Sequence, residues 1–274
     1  MKIGIESLHF NRRRFLDPER DAAGIAAFCR DLGVKHVDLH VHSVPVRTTP
    51  DTFRGIDDAF RSRGIRVVQT AAGFHGVNVH DAASCDAALD RAREHLEAIA
   101  ASTIRIANVF PVAQPDDREG WGRFVEVYAQ LLEIAAGLRL RLAFHHRNHD
   151  EARSLLDTLP HAANGVLLCL GWFHEFDSPP LPECIHDLGD RIFHVHARDP
   201  LAGQGDQLLG QGEVDLAGSL AALAEIGYEE TVTVEHTTQV VGQVDSEIST
   251  AWNVGFLRGL MERLGIEEDP PGRD

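Results

Sequence analysis

Eight strand-length apolar segments alternate with amphipathic helical segments along this chain, and this alternation restricts the fold more than any other feature. The strand candidates are KIGIES (2–7), HVDLHV (36–41), RVVQTAAG (66–73), TIRIANVF (103–110), RLAFHH (141–146), GVLLCL (165–170), IFHVHA (192–197) and TVTVEH (231–236). The segments between them carry apolar residues with the 3.6-residue period of an α-helix. Strands that alternate with helices in this way predict parallel strands joined by crossover helices.

The pattern predicts an α/β protein with a (β/α)8 barrel, also called a TIM barrel. Such a barrel typically needs about 250 residues, and the chain has 274. No linker-like segment divides the chain, so we expect one barrel domain over residues 1–266 and a disordered tail over 267–274. A doubly wound open sheet is the competing fold. That fold usually has a glycine-rich phosphate turn after its first strand, and GIESLHFNRRR contains none.

The composition is that of an ordinary globular protein, with 43% hydrophobic and 25% charged residues. No apolar run approaches the roughly 18 residues that a membrane span needs, and no signal peptide is recognisable. The net charge of −16 opposes binding to nucleic acid. The four cysteines lie apart without a C-x-x-C motif, which predicts free thiols in a reducing compartment. We therefore expect a cytoplasmic protein with no nucleic-acid or membrane partner.

Histidine and carboxylate side chains follow the ends of six of the eight predicted strands. The catalytic groups of (β/α)8 barrels come from the carboxyl ends of the strands, so this distribution predicts a polar site at that end. The positions are His40 and His42 after strand two, His75 after strand three, His145 and His146 on strand five, His174 after strand six, His194 and His196 on strand seven, and Glu235 and His236 on strand eight.

Side chains of a strand alternate between its two faces, and this alternation sorts the polar residues further. His146 has the parity of the helix-facing side, unlike its neighbour His145. On strand seven the outward side chains are predicted to be Phe193, Val195 and Ala197. The side chains predicted to point into the barrel are Asp38, His40, His42, Ala143, His145, His194, His196, Arg198, Thr231, Thr233 and Glu235.

The chain resembles the xylose-isomerase-like barrels, also called sugar-phosphate isomerase/epimerase-like barrels, most clearly after residue 130. That family also includes inosose and dehydroshikimate dehydratases and, more distantly, DNA-repair enzymes of the endonuclease IV type. The segments that carry the resemblance are AAGLRLRLAFHH, GVLLCLGWFH, IFHVHARD and LGQGEVDLAGSLAALAEIGYEETVTVEH. The last of these is the most specific, with Gly212, Glu213, Val214, Asp215, Gly227, Tyr228 and Glu235 in register with the family pattern.

The resemblance implies one divalent metal ion, with Mn²⁺ as the first expectation and Zn²⁺, Co²⁺ or Mg²⁺ as alternatives. Family members bind it with a Glu on strand five, an Asp on strand six, a His on strand seven and a Glu on strand eight. Carried over by position, these ligands become His145, Gly171, His196 and Glu235. We therefore expect His145, His196 and Glu235 as ligands, in a site weakened because Gly171 has no side chain to offer.

The same resemblance implies an isomerase or epimerase that acts on a small polyhydroxylated carbonyl compound by metal-assisted proton abstraction. The catalytic residues are then Glu235 as the base and His174, with Arg198, His40, His75 and His194 as substrate-binding residues. Family epimerases use two opposed glutamates, and this chain keeps only Glu235. A homodimer or homotetramer is the expected assembly.

Three other functions stay open at the level of the sequence. A dehydratase of the inosose or dehydroshikimate type uses the same first proton abstraction. A metallo-phosphoesterase of the PHP type is suggested by VDLHVHS, although that motif normally ends the first strand rather than the second. A non-catalytic sugar-binding barrel with a degenerate metal site is the third, and a measurement of metal content separates it from the enzymes.

Overall fold

A closed barrel of eight parallel strands forms the centre of the computed structural model. The structure describes residues 1–7, 18–39, 49–74, 77–110, 112–113, 115–176, 178–235 and 246–268. The barrel strands are β1 (Lys2–Glu6), β2 (His36–Leu39), β3 (Arg66–Ala71), β4 (Ile106–Val109), β5 (Arg141–His145), β6 (Asn164–Cys169), β7 (Ile192–Ala197) and, after the hairpin strands β8 (Pro200–Leu201) and β9 (Gly205–Asp206), β10 (Thr231–Val234). Barrel neighbours follow chain order and β1 closes on β10, so the predicted (β/α)8 barrel is confirmed.

Helices connect the strands and cover the outside of the barrel. Several begin at a side chain that accepts a hydrogen bond from a free backbone N–H of the first turn, as N-caps do; examples are Thr49, Asp81 and Asn148. The helices are α1 (Pro18–Asp31), α2 (Pro50–Arg61), α3 (Ala82–Ala100), α4 (Arg118–Gly137), α5 (His149–Thr158), α6 (Leu170–Glu175), α7 (Leu181–Leu188), α8 (Leu216–Glu225) and α9 (Ser246–Arg263). None of these helices is long and apolar enough to cross a membrane.

Apolar side chains are divided between the two faces of the barrel wall. The larger hydrophobic core lies between the strands and the helices, and it takes the outward residues of each strand, such as Val195 and Val234. A smaller apolar cluster contains the inward residues Ala143 and Leu167. Phe193 belongs to this inner cluster, so its predicted outward direction is wrong. The register between β6 and β7 shifts next to Phe193, and such a bulge interrupts the alternation of side chains.

The four cysteines are buried free thiols, as predicted. Cys169 differs from the other three in its position, because it ends β6 on the inner face of the barrel. The predicted tail lies mostly outside the described residues, which end at residue 268.

Candidate metal centre

Three side chains meet inside the carboxyl end of the barrel. His145 ends β5, His196 lies near the end of β7, and Glu235 follows β10, where its backbone N–H still donates to Ala197 on β7. The potential ligand atoms of the three residues all lie within 4.8 Å of one another, and all three side chains are buried. The structure therefore brings together the three side chains that the sequence predicted as ligands, while their role as ligands stays a prediction.

Aromatic packing orients His145. Its ring stacks on Trp172 with 4.3 Å between ring centroids and an interplanar angle of 14°. The ring of Phe110 lies 5.3 Å away on another side. Because Trp172 belongs to α6, the short helix after β6 forms part of the wall of the site.

Two carboxylates flank His196. Its Nδ1 lies 3.2 Å from Glu235 Oε1, and its Nε2 lies 3.1 Å from Asp38 Oδ2. Burial by itself lowers the pKa of His196, but the charges of Glu235 and Asp38 outweigh burial and raise that pKa well above the ordinary value. Burial likewise disfavours ionised Asp38, yet His194 and His196 hold its pKa below the ordinary value. The charges of Asp38 and His196 therefore stabilise each other inside the barrel.

His194 lies deeper in the barrel than the sequence prediction placed it. It precedes His196 by two residues, and two residues of a strand span about 7 Å, so His194 is displaced toward the amino end. Its Nε2 lies 2.6 Å from Asp38 Oδ2 and 3.2 Å from Thr233 Oγ1, and the side chain is 1% exposed. His194 borders a cavity at the amino end instead. The expectation that it contacts substrate at the carboxyl mouth therefore needs correction.

The inward position at the end of β6 is Cys169, not Gly171. The predicted strand (165–170) ends one residue too late, because β6 ends at Cys169 and the chain turns directly into α6. A Cβ on Gly171 would lie 2.7 Å from Arg198 Cβ and 3.1 Å from Pro200 Cδ, and none of the three clustered side chains is among its nearest neighbours. Cys169 Sγ lies 3.5 Å from Glu235 Oε2. Burial and the Glu235 charge raise the pKa of this thiol well above its ordinary value.

Cys169 contacts Glu235 but is not among the site residues predicted from the sequence, and neither are Asp38 and Trp172. Val166 and Leu168 face the helices. Strict alternation along β6 therefore already assigned Leu167 and Cys169 to the interior.

Arg198 lies at the edge of this cluster and is paired with an acidic residue of the adjacent hairpin. Its Nη2 lies 2.7 Å from Asp206 Oδ1 and 3.7 Å from Glu175 Oε2, and its Nη1 lies 4.0 Å from Cys169 Sγ. The adjacent Asp199 carboxylate instead accepts backbone N–H groups of the following loop, from Gly210, Gly212 and Val214. The predicted contact of Arg198 with substrate stays a prediction.

The remaining predicted residues lie outside the cluster or outside the described part of the chain. His174 is exposed on α6. His146 faces away from the interior, as its parity predicts, and packs against Phe144 with 4.3 Å between ring centroids. Burial, followed by the neighbouring charge of His145, lowers the pKa of His146 well below the ordinary value. Three predicted mouth residues and one further histidine fall outside the described residues, namely His40, His42, His75 and His236.

The fold and the site define the class of this protein. A family model described as a xylose isomerase-like TIM barrel matches residues 26–259, so the chain belongs to that family. Because the chain belongs to this family, the PHP-type metallo-phosphoesterase is no longer a candidate function. An L-ribulose 3-epimerase has a similar structure, with a TM-score of 0.76 and 15% identity over 97% of this chain and 96% of that chain. The IOLI protein with a bound zinc atom has a TM-score of 0.75 and 17% identity over 96% and 99% of the two chains.

A part of the chain is also similar in sequence to mannonate dehydratases. Mannonate dehydratase 1 of Halalkalibacterium halodurans is 28% identical over 95 residues, which cover 32% of this chain and 26% of that protein. The mannonate dehydratase of Oceanobacillus iheyensis is 27% identical over 114 residues, which cover 38% and 32% of the two proteins. The chain thus matches only a quarter to a third of the length of these dehydratases.

Proposed function

We propose that this protein is a metal-dependent enzyme that removes a proton from the carbon next to the carbonyl group of a small polyhydroxylated compound. The observation that carries the proposal is the buried group of His145, His196 and Glu235 at the carboxyl end of the barrel. Active sites of (β/α)8 enzymes lie at this end. The similar structures that bear the names of epimerases support an enzyme of this general kind.

The donor set fits a divalent metal ion. Two imidazoles and one carboxylate within 4.8 Å of one another make a two-histidine, one-carboxylate site that leaves positions open for substrate oxygens. His196 Nδ1 is buried and makes no hydrogen bond to any residue that the structure describes, although it faces Glu235. Imidazole donors favour Zn²⁺ or Co²⁺ over Mg²⁺ and Mn²⁺. Because two of the three donors are imidazoles, we rank Zn²⁺ ahead of the Mn²⁺ that the family pattern suggests.

Each neighbouring side chain has a distinct part in the proposed reaction. A divalent ion held by His145, His196 and Glu235 would supply a Lewis acid that polarises the substrate carbonyl group and acidifies the adjacent C–H bond. Glu235 accepts that proton at a carboxylate oxygen. Asp38 holds His196 through Nε2, which keeps Nδ1 directed at Glu235. Arg198, held by Asp206 at the edge of the cluster, would offer its positive charge to substrate oxygens.

The fate of the proton distinguishes the two candidate reactions. Return of the proton to the same carbon from the other face, or to the neighbouring carbon, gives epimerisation or isomerisation. Loss of a hydroxyl group from the next carbon gives dehydration, with the proton of Glu235 leaving in the water that forms. The partial sequence similarity to mannonate dehydratases favours the dehydratase as the second candidate.

Deuterium exchange tests the proposed proton abstraction whichever product forms. The zinc-loaded protein is incubated in D2O with keto-sugars, sugar acids and cyclitol ketones, and proton NMR measures deuterium incorporation or loss of the hydroxyl group. We expect exchange or dehydration of at least one compound by the wild type and by Glu94→Gln, an exposed substitution on α3. Glu235→Gln should abolish the reaction while the fold is kept. A barrel that retains metal and binds sugars, yet exchanges no proton, is the non-catalytic alternative.

A further inference from the structure

A cavity of about 410 Å³ opens at the amino end of the barrel, opposite the candidate metal centre. Arg66 and Arg141 are the first residues of β3 and β5, and Arg105 directly precedes β4, so their backbones lie at that end. Arg61 approaches from the last turn of α2. The charged and titratable residues that line the cavity are Arg61, Arg66, Arg105, Arg141, Glu230 and His194.

The lining of this cavity is positively charged, whereas the chain as a whole is negatively charged. Among the described residues, four arginines and one glutamate line it, whereas the whole chain carries a net charge of −16. Like charges that converge on one cavity repel one another, and the repulsion is largest when no counter-ion is bound. A concave site lined by one sign of charge attracts ligands of the opposite sign.

Structural roles explain only some of these arginines. Arg105 Nη1 donates to the carbonyl oxygens of Ser102 and Ile104 at 2.7 Å each. The Arg141 guanidinium lies 4.7 Å from the centroid of the Phe193 ring and 3.9 Å from Glu230 Oε1. These contacts account for two of the four positive charges.

Arg61 and Arg66 are left without such contacts. The charge of Arg61 suits the carboxyl end of α2. Neither the Arg61 nor the Arg66 guanidinium makes a hydrogen bond or an ion pair with any residue in the described part of the chain.

We propose that this cavity is a binding site for a small polyanion, either a phosphorylated compound or a polycarboxylate. Guanidinium groups bind both phosphate and carboxylate through bidentate hydrogen bonds. The volume lies in the range of about 300–1,000 Å³ that is typical of small-molecule sites. A long polyanion such as nucleic acid is disfavoured by the acidic remainder of the surface. The proposal does not depend on the enzymatic function proposed above.

His194 separates this cavity from the candidate metal centre. It lines the cavity and lies 2.6 Å from Asp38, which in turn contacts His196. A polyanion in the cavity therefore lies on the other side of His194 from the three clustered side chains.

Calorimetric titration of the full-length protein with pyrophosphate, and separately with citrate, tests the site at low ionic strength. The two probes distinguish the phosphorylated from the carboxylate source. We expect at least one of them to bind, and we expect Arg66→Gln and Arg61→Gln each to weaken binding by about tenfold, the loss of one charge-assisted contact. Arg93→Gln, an exposed substitution on α3, should leave the affinity unchanged.

Titration of the metal-free protein, prepared with EDTA and dialysed, controls for binding of the probes at the candidate metal centre, since both probes chelate metals. The proposal requires the metal-free protein to retain the affinity of the untreated protein. It is overturned if neither probe binds, if Arg66→Gln and Arg61→Gln both bind as tightly as the wild type, or if removal of metal abolishes binding. Circular dichroism confirms that each variant is folded.

Discussion

Glu235 contacts a different side chain with each of its carboxylate oxygens. Oε1 faces the Nδ1 of His196 at 3.2 Å, and Oε2 faces the Sγ of Cys169 at 3.5 Å. Cys169 is not among the three side chains whose ligand atoms all lie within 4.8 Å of one another. Its contact with Glu235 places the thiol beside an ion that this carboxylate would hold, and we expect such an ion to draw the thiolate in as a further ligand.

Cobalt substitution tests the contact between Cys169 and the metal. A thiolate ligand gives Co²⁺ a sulfur-to-metal charge-transfer band in the near ultraviolet, which oxygen and nitrogen ligands do not produce. We expect the band in the wild type and in Cys184→Ser, whose buried thiol lies on α7. Cys169→Ser should lose the band and bind Zn²⁺ at least about tenfold more weakly. Co²⁺ binding without the band in the wild type would exclude Cys169 as a ligand and leave the other three ligands possible.

The junction between β6 and α6 shows how one element boundary changes the composition of the site. Cys169 is both the last residue of β6 and the N-cap of α6, so the alternation of the strand stops there. Gly171 then lies in the first turn of the helix, packed against Arg198 and Pro200. Arg198 can approach Asp206 and Glu175 because position 171 carries no side chain.

An alanine substitution tests how closely Arg198 packs against Gly171. Gly171→Ala places a methyl group 2.7 Å from Arg198 Cβ, so we expect a loss of about 1–3 kcal/mol in the free energy of unfolding. Gly122→Ala is the matched control, because it lies inside α4 and its added methyl group meets nothing within 4 Å. That variant should gain about 0.5–1 kcal/mol from helix propensity. Urea denaturation measures both values, and equal stability of Gly171→Ala and wild type would contradict the packing described.

At the scale of the whole molecule, the barrel separates two kinds of charged site. The carboxyl end holds the buried imidazoles and carboxylates of the candidate metal centre, and the amino end holds the arginine-lined cavity. The candidate metal ligands come from β5, β7 and the residue after β10, which are distant in sequence. An ion bound by all of them would therefore stabilise the folded barrel against the unfolded chain.

Thermal unfolding with and without metal tests this coupling. Metal at about one hundred times its Kd contributes about 2.7 kcal/mol, which for a chain of this size raises Tm by roughly 5–10 °C. We expect chelation to remove that increase in the wild type and in His186→Ala, an exposed histidine on α7. His196→Ala should show no metal-dependent increase and should retain little metal by plasma emission analysis. Equal metal content in His196→Ala and wild type would remove His196 from the ligand set.

Much of the fold and part of the candidate site were determined by the sequence alone. The two-residue period of the strands is a local property, and it assigned Asp38, His145, His196 and Glu235 to the interior independently of any tertiary contact. The 3.6-residue period between strands predicted the helices and, through them, a closed parallel barrel. Both patterns arise because each strand and each helix must bury one face. That requirement determines which nearby positions of the sequence are apolar.

Only the tertiary structure decided which groups meet and which do not. The end of β6 at Cys169 and the bulge beside Phe193 depend on the fit between adjacent strands, and both changed assignments that alternation alone had made. The pairing of Arg198 with Asp206, and the convergence of Arg61 and Arg66 on one cavity, join residues from different elements. Such contacts depend on distances across the closed barrel, and a one-dimensional pattern carries no information about those distances.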